Sequence, residues 1–233
     1  MSISICLLGT DGLLLAADSR LSLISEDRKS THTENNSQKL FRITDNMGIV
    51  SIGTHEDYRK YVLGKIIEHY ENTKEIATVE KVVEIMKSDY LLRVSGFNDS
   101  TMRRVSFQMV SIIAGYNGNK PYIISCDSGA DYGLLPFALG KRPFRCIHGM
   151  DTIADYWIKK LNIDVKLEEG VSITYLKKLA TLLIVESASF MDSIGLPIQM
   201  ATISKKKGFQ FIGKSEIDSL IIGLEHKVAK MEL

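Results

Sequence analysis

Apolar residues recur along the chain with two spacings, and the switch between them marks its elements. Ser2-Ile3-Ser4-Ile5-Cys6-Leu7-Leu8 and Leu13-Leu14-Leu15-Ala16-Ala17-Asp18 are short apolar runs on either side of Gly9-Thr10-Asp11-Gly12. Runs of that length around turn residues predict a hairpin of strands 2–8 and 13–18. A turn centred on Thr10-Asp11 pairs residues whose numbers sum to about 21, which sets Ser2 beside Asp18, Ser19 and Arg20. The polar stretch 21–38 reads as a long loop. Residues 39–44 and 47–53, joined through Asp45-Asn46, predict a second hairpin; a pairing sum of about 92 places Lys39 opposite Gly53.

The period then lengthens to that of a helix. Residues 56–71 bring Tyr58, Tyr61, Val62, Ile66 and Tyr70 near one face. Thr78 has N-cap chemistry for a helix over 79–93, with Val82, Val83, Ile85, Met86 and Tyr90 as its apolar stripe. After a loop at 95–101, residues 105–114 and 120–126 predict strands joined by Gly115-Tyr116-Asn117-Gly118-Asn119, and 144–147 a short strand. Helices are expected over 151–161 and 171–190, a hairpin of 197–203 with 209–212, and a closing helix over 216–230. Strands and helix pairs in this order imply an α+β fold: a four-layer α/β/β/α sandwich of two antiparallel sheets flanked by helices. No repeat, low-complexity tract or linker interrupts residues 1–233, which read as a single domain.

Composition narrows the function classes. At 233 residues and 45% hydrophobic content the chain can bury one substantial core. Lys+Arg 29 against Asp+Glu 28 leaves a formal charge of +1, which argues against nucleic acid or an anionic membrane as the main partner. Cys6, Cys126 and Cys146 lie in apolar runs without metal-ligand spacing and read as reduced core residues. With no signal segment and no apolar run of about 18 residues, the expectation is a soluble, cytoplasmic protein. No phosphate-binding glycine loop or zinc motif is present, so cofactor-free, metal-free chemistry is expected.

The candidate chemistry sits where the hairpins end. Removal of Met1 would leave a hydroxyl and a free α-amine together on Ser2. An α-amine of pKa about 7.7–8.0 is a usable base near neutrality, and a nucleophile with an adjacent base is the requirement for covalent catalysis. Sheets packed in register would bring Lys39 towards Ser2, where a cation favours the alkoxide and disfavours protonation of the amine. Gly53, at a strand end before a helix, would admit a substrate backbone closely and offer an N–H to an oxyanion. Each feature has a plainer reading: Asp18 and Arg20 as a strand-end ion pair, Lys39 as a solvated lysine, Gly53 as a turn glycine.

The string Asp11-Gly12-Leu13-Leu14-Leu15-Ala16-Ala17-Asp18-Ser19-Arg20 closely resembles the opening of proteasome β-type subunits, as does Lys39-Leu40-Phe41-Arg42-Ile43 followed by Ser51-Ile52-Gly53. Asp192-Ser193-Ile194-Gly195-Leu196-Pro197-Ile198 is similar to the family's late Asp/Ser-Gly segment. The resemblance implies an N-terminal nucleophile hydrolase cleaving peptide or amide bonds. Ser2 would be nucleophile and, through its amine, base; Asp18 would orient Lys39, and Gly53 would donate to the oxyanion. Asp192 and Ser193 would hydrogen-bond near the terminus. Ser51 would floor the pocket for the residue before the cleaved bond, and Leu21 and His55 would wall it.

The family further implies a homo-oligomeric ring acting on peptide or unfolded-protein substrates, with an ATPase or other regulator left unspecified. The chain departs from the pattern in five places, one being that the loop 21–38 is a few residues longer than the usual connection. Ser2 stands where the family has Thr, its exposure is expected to depend on removal of Met1 and not of a propeptide, and Leu196-Pro197 replaces expected glycines. His148, in Ile147-His148-Gly149-Met150, stands where a Ser between glycines is usual, either replacing its polar contact or serving structure alone. Two alternatives therefore stay open: a catalytically silent structural or binding subunit, and an amidase for small molecules.

Overall fold

The structure, a computed structural model, describes residues 2–24, 31–53, 56–94, 109–128, 133–136, 144–149 and 151–231. β1 (Ile3–Leu8) and β2 (Leu13–Asp18) form the hairpin expected from the first two apolar runs, in the expected register: Ser4 faces Ala17 and Leu8 faces Leu13. Both strands are covered on both faces, which is why they read as near-continuous apolar runs instead of an alternation.

They sit in the middle of a five-stranded antiparallel sheet. β10 (Arg145–Gly149) lies outside β1, and β11 (Ile198–Ser204) and β12 (Gly208–Phe211) follow β2. A second antiparallel sheet runs β5 (Leu40–Thr44), β6 (Met47–Gly53), β7 (Met109–Asn117), β8 (Lys120–Asp127) and β9 (Gly133–Pro136).

Three buried clusters hold four layers together. Between the sheets lie Cys6, Leu13, Leu15 and Ala17 from one side and Leu40, Val50, Ile112 and Ile123 from the other. On the outer face of the second sheet, α1 (Glu56–Thr73) and α2 (Val79–Val94) bury Val62, Ile66, Val82 and Met86 against Phe41, Ile49 and Ile113. On the outer face of the first pack α3 (Asp151–Lys160), α4 (Ile163–Glu169), α5 (Ile173–Phe190) and α6 (Lys214–Met231), with Ile158, Leu167, Leu183 and Ile217 against Ile3, Ile5, Leu14 and Met200. Each large aliphatic side chain contributes roughly 1.5–3 kcal/mol on leaving water. The α/β/β/α sandwich is the expected one.

Several expectations need correction. The polar stretch 21–38 holds a two-stranded ladder, β3 (Leu21–Ile24) with β4 (Thr31–Glu34), pairing Leu21 with Glu34 and Ile24 with Thr31. Its composition hid two short strands. In the second hairpin Leu40 pairs with Val50, so Lys39 faces Ser51 and not Gly53. The tight Asp45-Asn46 turn sets Thr44 against Met47, and an irregularity between Arg42 and Thr44 moves the register further.

On α1, Tyr61 is 42% exposed while Arg59 is buried. α4 and β9 were not expected. Residues 105–108, predicted to begin a strand, and the Tyr90 side chain lie outside the described residues. Among those described, no helix is long and apolar enough to cross a membrane.

Candidate active site

Asp18 closes β2 and is fully buried. A buried carboxylate is costly unless its oxygens are satisfied, and this one has four donors. Oδ1 accepts from the Ile3 N–H at 3.0 Å and from Lys39 Nζ at 2.8 Å. Oδ2 accepts from the N–H groups of Arg20 at 3.0 Å and Gly195 at 3.4 Å. The carboxylate thus ties the start of β1, the end of β2 and the turn before β11 to one point.

Lys39 comes from the other sheet, just ahead of β5, and is 1% exposed. Nζ donates to Asp18 Oδ1, to Ser2 Oγ at 2.9 Å and to the Arg20 carbonyl at 2.8 Å. An ammonium has three protons, and each has a partner. Burial holds the Lys39 pKa below the usual lysine value; the charge and hydrogen bond of Asp18 oppose that, Arg59 adds to it and Glu56 offsets it. Arg20 makes no side-chain ion pair with Asp18: Nε donates to Asn35 Oδ1 at 2.9 Å and Nη1 to the Asp192 carbonyl at 2.7 Å. The plain readings of Asp18–Arg20 as an ion pair and of Lys39 as solvated are replaced by a buried Ser2–Lys39–Asp18 chain of hydrogen bonds.

Gly53 ends β6, two residues beyond Ser51, whose N–H donates to the Lys39 carbonyl at 2.8 Å. Successive N–H groups on one edge of a strand are two residues apart, so the Gly53 N–H shares the Lys39 edge, past the end of β5. Ser51 is fully buried, and its Oγ accepts from Ser111 Oγ at 2.8 Å. Leu21 is half-buried at the start of β3. His55 lies outside the described residues.

The late segment is placed differently from the residues expected there. The Asp192 residue is exposed, and its main-chain carbonyl meets Arg20. Among the described residues, Ser193 Oγ is buried without a hydrogen-bond partner. Gly195 makes the contacts to the site, its N–H to Asp18 and its carbonyl to the Ser19 N–H at 3.2 Å. His148, opposite Ser4 on β10, lies 2.6 Å through Nε2 from Ser125 Oγ and 3.5 Å from Cys146 Sγ. Gly149 beside it has φ +99°, and a Cβ there would collide with the Ser2 carbonyl.

Two polar residues of the site escaped the sequence reading. Gln199 Oε1 accepts from the N–H groups of Lys39 at 2.9 Å and Leu40 at 3.1 Å. Its Nε2 donates to Ser19 Oγ at 2.7 Å and the Ser37 carbonyl at 2.6 Å. Arg59 Nη2 donates to Ser37 Oγ at 2.6 Å and the Gln38 carbonyl at 3.2 Å. Arg59 had a signal, its place on the helical face of Val62, Leu63 and Ile66; Gln199, one polar residue within a strand, had none.

Among the described residues no group of three or more His, Cys, Asp or Glu side chains is spaced to hold a metal ion. The site presents a hydroxyl hydrogen-bonded to a buried ammonium, which lowers the energy of negative charge developing on that oxygen.

No curated protein matches the chain. Residues 2–152 match the model of the proteasome subunit family. That stretch carries Ser2, Asp18, Lys39 and Gly53 through to the start of α3, and leaves β11 with Gln199 beyond it. With more than half its length matched, the chain belongs to the proteasome subunit family.

Proposed function

We propose that the chain is a proteasome-like peptidase subunit in which Ser2, freed by removal of Met1, is the nucleophile. What carries this reading is the bond from the buried Lys39 Nζ to Ser2 Oγ at 2.9 Å, with Asp18 behind it at 2.8 Å.

The steps balance as acyl transfer. The Ser2 α-amine accepts the Oγ proton as Oγ adds to the substrate carbonyl carbon, and the resulting oxyanion meets the Gly53 N–H. The intermediate collapses with cleavage of the C–N bond, the leaving amine taking the proton from the α-ammonium and the acyl group remaining as a Ser2 ester. Water, deprotonated by the same amine, releases the acid. Lys39 stays protonated throughout; its charge stabilises the alkoxide and keeps the neighbouring α-amine unprotonated.

Family membership supports assembly into an oligomeric ring, which would confine the site to extended, unfolded chains. One observation favours the silent-subunit alternative: the Asp192 residue is exposed and Ser193 Oγ is unpartnered, so neither supports the terminus as the resemblance implies.

The test is hydrolysis of a panel of fluorogenic peptides and small acyl amides by the native assembly, with Ser2→Ala and Lys39→Met alongside. Peptide turnover lost in both variants supports the proposal. Turnover of the small amides alone would transfer the chain to the amidase class, and no turnover of either would leave a scaffold.

A further inference from the structure

Gln199 lies outside the stretch matched to the family and touches neither Ser2 nor a reacting group. Its position is nevertheless unusual. Gln199 pairs with Ala17 on β2, and its neighbours Ile198 and Met200 face the helices of the first sheet. Side chains alternate along a strand, so Gln199 points between the sheets. There it meets the N–H groups of Lys39 and Leu40, where β5 begins. The amide is fully used: the oxygen accepts twice and the nitrogen donates twice. Its orientation is fixed too, because a flipped amide would set N–H against N–H at Lys39 and carbonyl against carbonyl at Ser37.

We propose that Gln199 is the positioning residue for Lys39, a carboxamide strut that holds the lysine main chain at a set distance from β2 and so fixes where Nζ meets Ser2 and Asp18. The strut works because Lys39 is a long side chain with four rotatable bonds. Three hydrogen bonds hold its tip, and the two sheets could otherwise shift relative to each other beneath it. Arg59 braces the same segment from α1 through Ser37 and Gln38, so residues 37–40 are held from both faces. The charged groups facing Lys39 are Asp18 from β2 and Arg59 and Glu56 from α1, together with the Ser2 α-amine once Met1 is gone. Burial is the largest influence holding the lysine below its ordinary pKa, so a loosened segment that admits water raises it.

The catalytic half of this inference rests on the hydrolase reading; the structural half does not, and the experiment separates them. Lysine-13Cε NMR titration of the native assembly follows Lys39, assigned by loss of its signal in Lys39→Arg, while acylation kinetics follow Ser2. Gln199→Met keeps the length and removes all four hydrogen bonds. Gln199→Asn, the second variant if the first fails to fold, stays neutral and keeps a carboxamide one methylene too short to span the same four partners.

The expected result is a Lys39 midpoint moved up towards the ordinary value of about 10.4. Alongside it, kcat falls roughly 10–100-fold at a KM within about twofold, the signature of an interaction expressed in the transition state. Gln210→Met, at an exposed position of β12, changes neither. A folded Gln199 variant with an unmoved Lys39 midpoint overturns the proposal, whether or not Ser2 reacts. A moved midpoint in a protein whose wild-type Ser2 forms no acyl adduct keeps the strut and sinks the hydrolase reading.

Discussion

Lys39 and Asp18 are a buried ion pair, and pairs of this kind are revealing when broken from one side. Removing one partner leaves an uncompensated charge in the interior, at a loss of roughly 3–5 kcal/mol. Lys39→Met is expected to lose about that much stability in chemical denaturation, because Asp18 keeps its main-chain donors but not its counter-charge. Asp18→Asn leaves one main-chain donor facing an amide NH2 and has its own loss, so the ion pair is read from the cycle. The double variant with Lys39→Met should lose less than the two single losses summed while restoring no reaction at Ser2; losses that simply add would contradict the ion-pair account. Asp18 was legible in the sequence because it ends a hairpin whose turn fixes its register, and Lys39 through the resemblance, its own hairpin register being two residues away from the expected one. The contacts of Gln199 and Arg59 were not, because their partners, main-chain groups together with Ser19 Oγ and Ser37 Oγ, lie about 160–180 and about 20 residues away, set by how the sheets and α1 pack.

At the scale of elements, the apolar runs led to the first hairpin and its register, and helical periodicity led to α1, α2 and α5. Turn chemistry and short polar strands were less legible. The tight Asp45-Asn46 turn and the irregularity between Arg42 and Thr44 together moved Lys39 from Gly53 to Ser51, and the β3–β4 ladder lies in a stretch too polar to stand out. The late turn before β11 delivers Gly195 to Asp18 where Asp192 and Ser193 were expected, a difference of backbone course that residue types alone do not reveal.

The junction of β10 with β1 is sensitive to a single change. Gly149 pairs with Ile3 at φ +99°, a region L side chains rarely occupy, with the Ser2 carbonyl where a Cβ would stand. Gly149→Ala should lose about 1–3 kcal/mol of stability and displace Ser2 from Lys39, seen as slower acylation in the folded fraction. Full stability with unchanged acylation would show that β10 does not hold the terminus.

For the whole molecule, the three thiols lie inside the sandwich and respond to alkali together. Burial pushes the Cys126 and Cys146 thiols up to about 12 and raises Cys6 well above its ordinary value, with Cys146 adding to the Cys6 shift. The unfolded chain releases these protons near pH 8.5 and the native one does not. Their stabilisation is therefore complete below that pH and falls as pH rises towards 12, by about 1.4 kcal/mol per pH unit for each thiol. Lys39 runs the other way, its contribution present above the ordinary lysine pKa and lost as pH falls through its lowered value, but it is one group against three.

Denaturation midpoints should accordingly decline between pH 9 and 11, and Cys126→Ala should flatten the decline by one thiol's share; a profile flat in both proteins would contradict this. The layers that hide the thiols also carry Lys39 to Ser2, so fold and chemistry depend on the same sheet-on-sheet packing. The most direct test of that chemistry is the intact mass of the native protein before and after a β-lactone or boronate electrophile. The account predicts a chain lacking Met1 that gains one adduct, abolished by Ser2→Ala; a chain that keeps Met1 and gains none would contradict it.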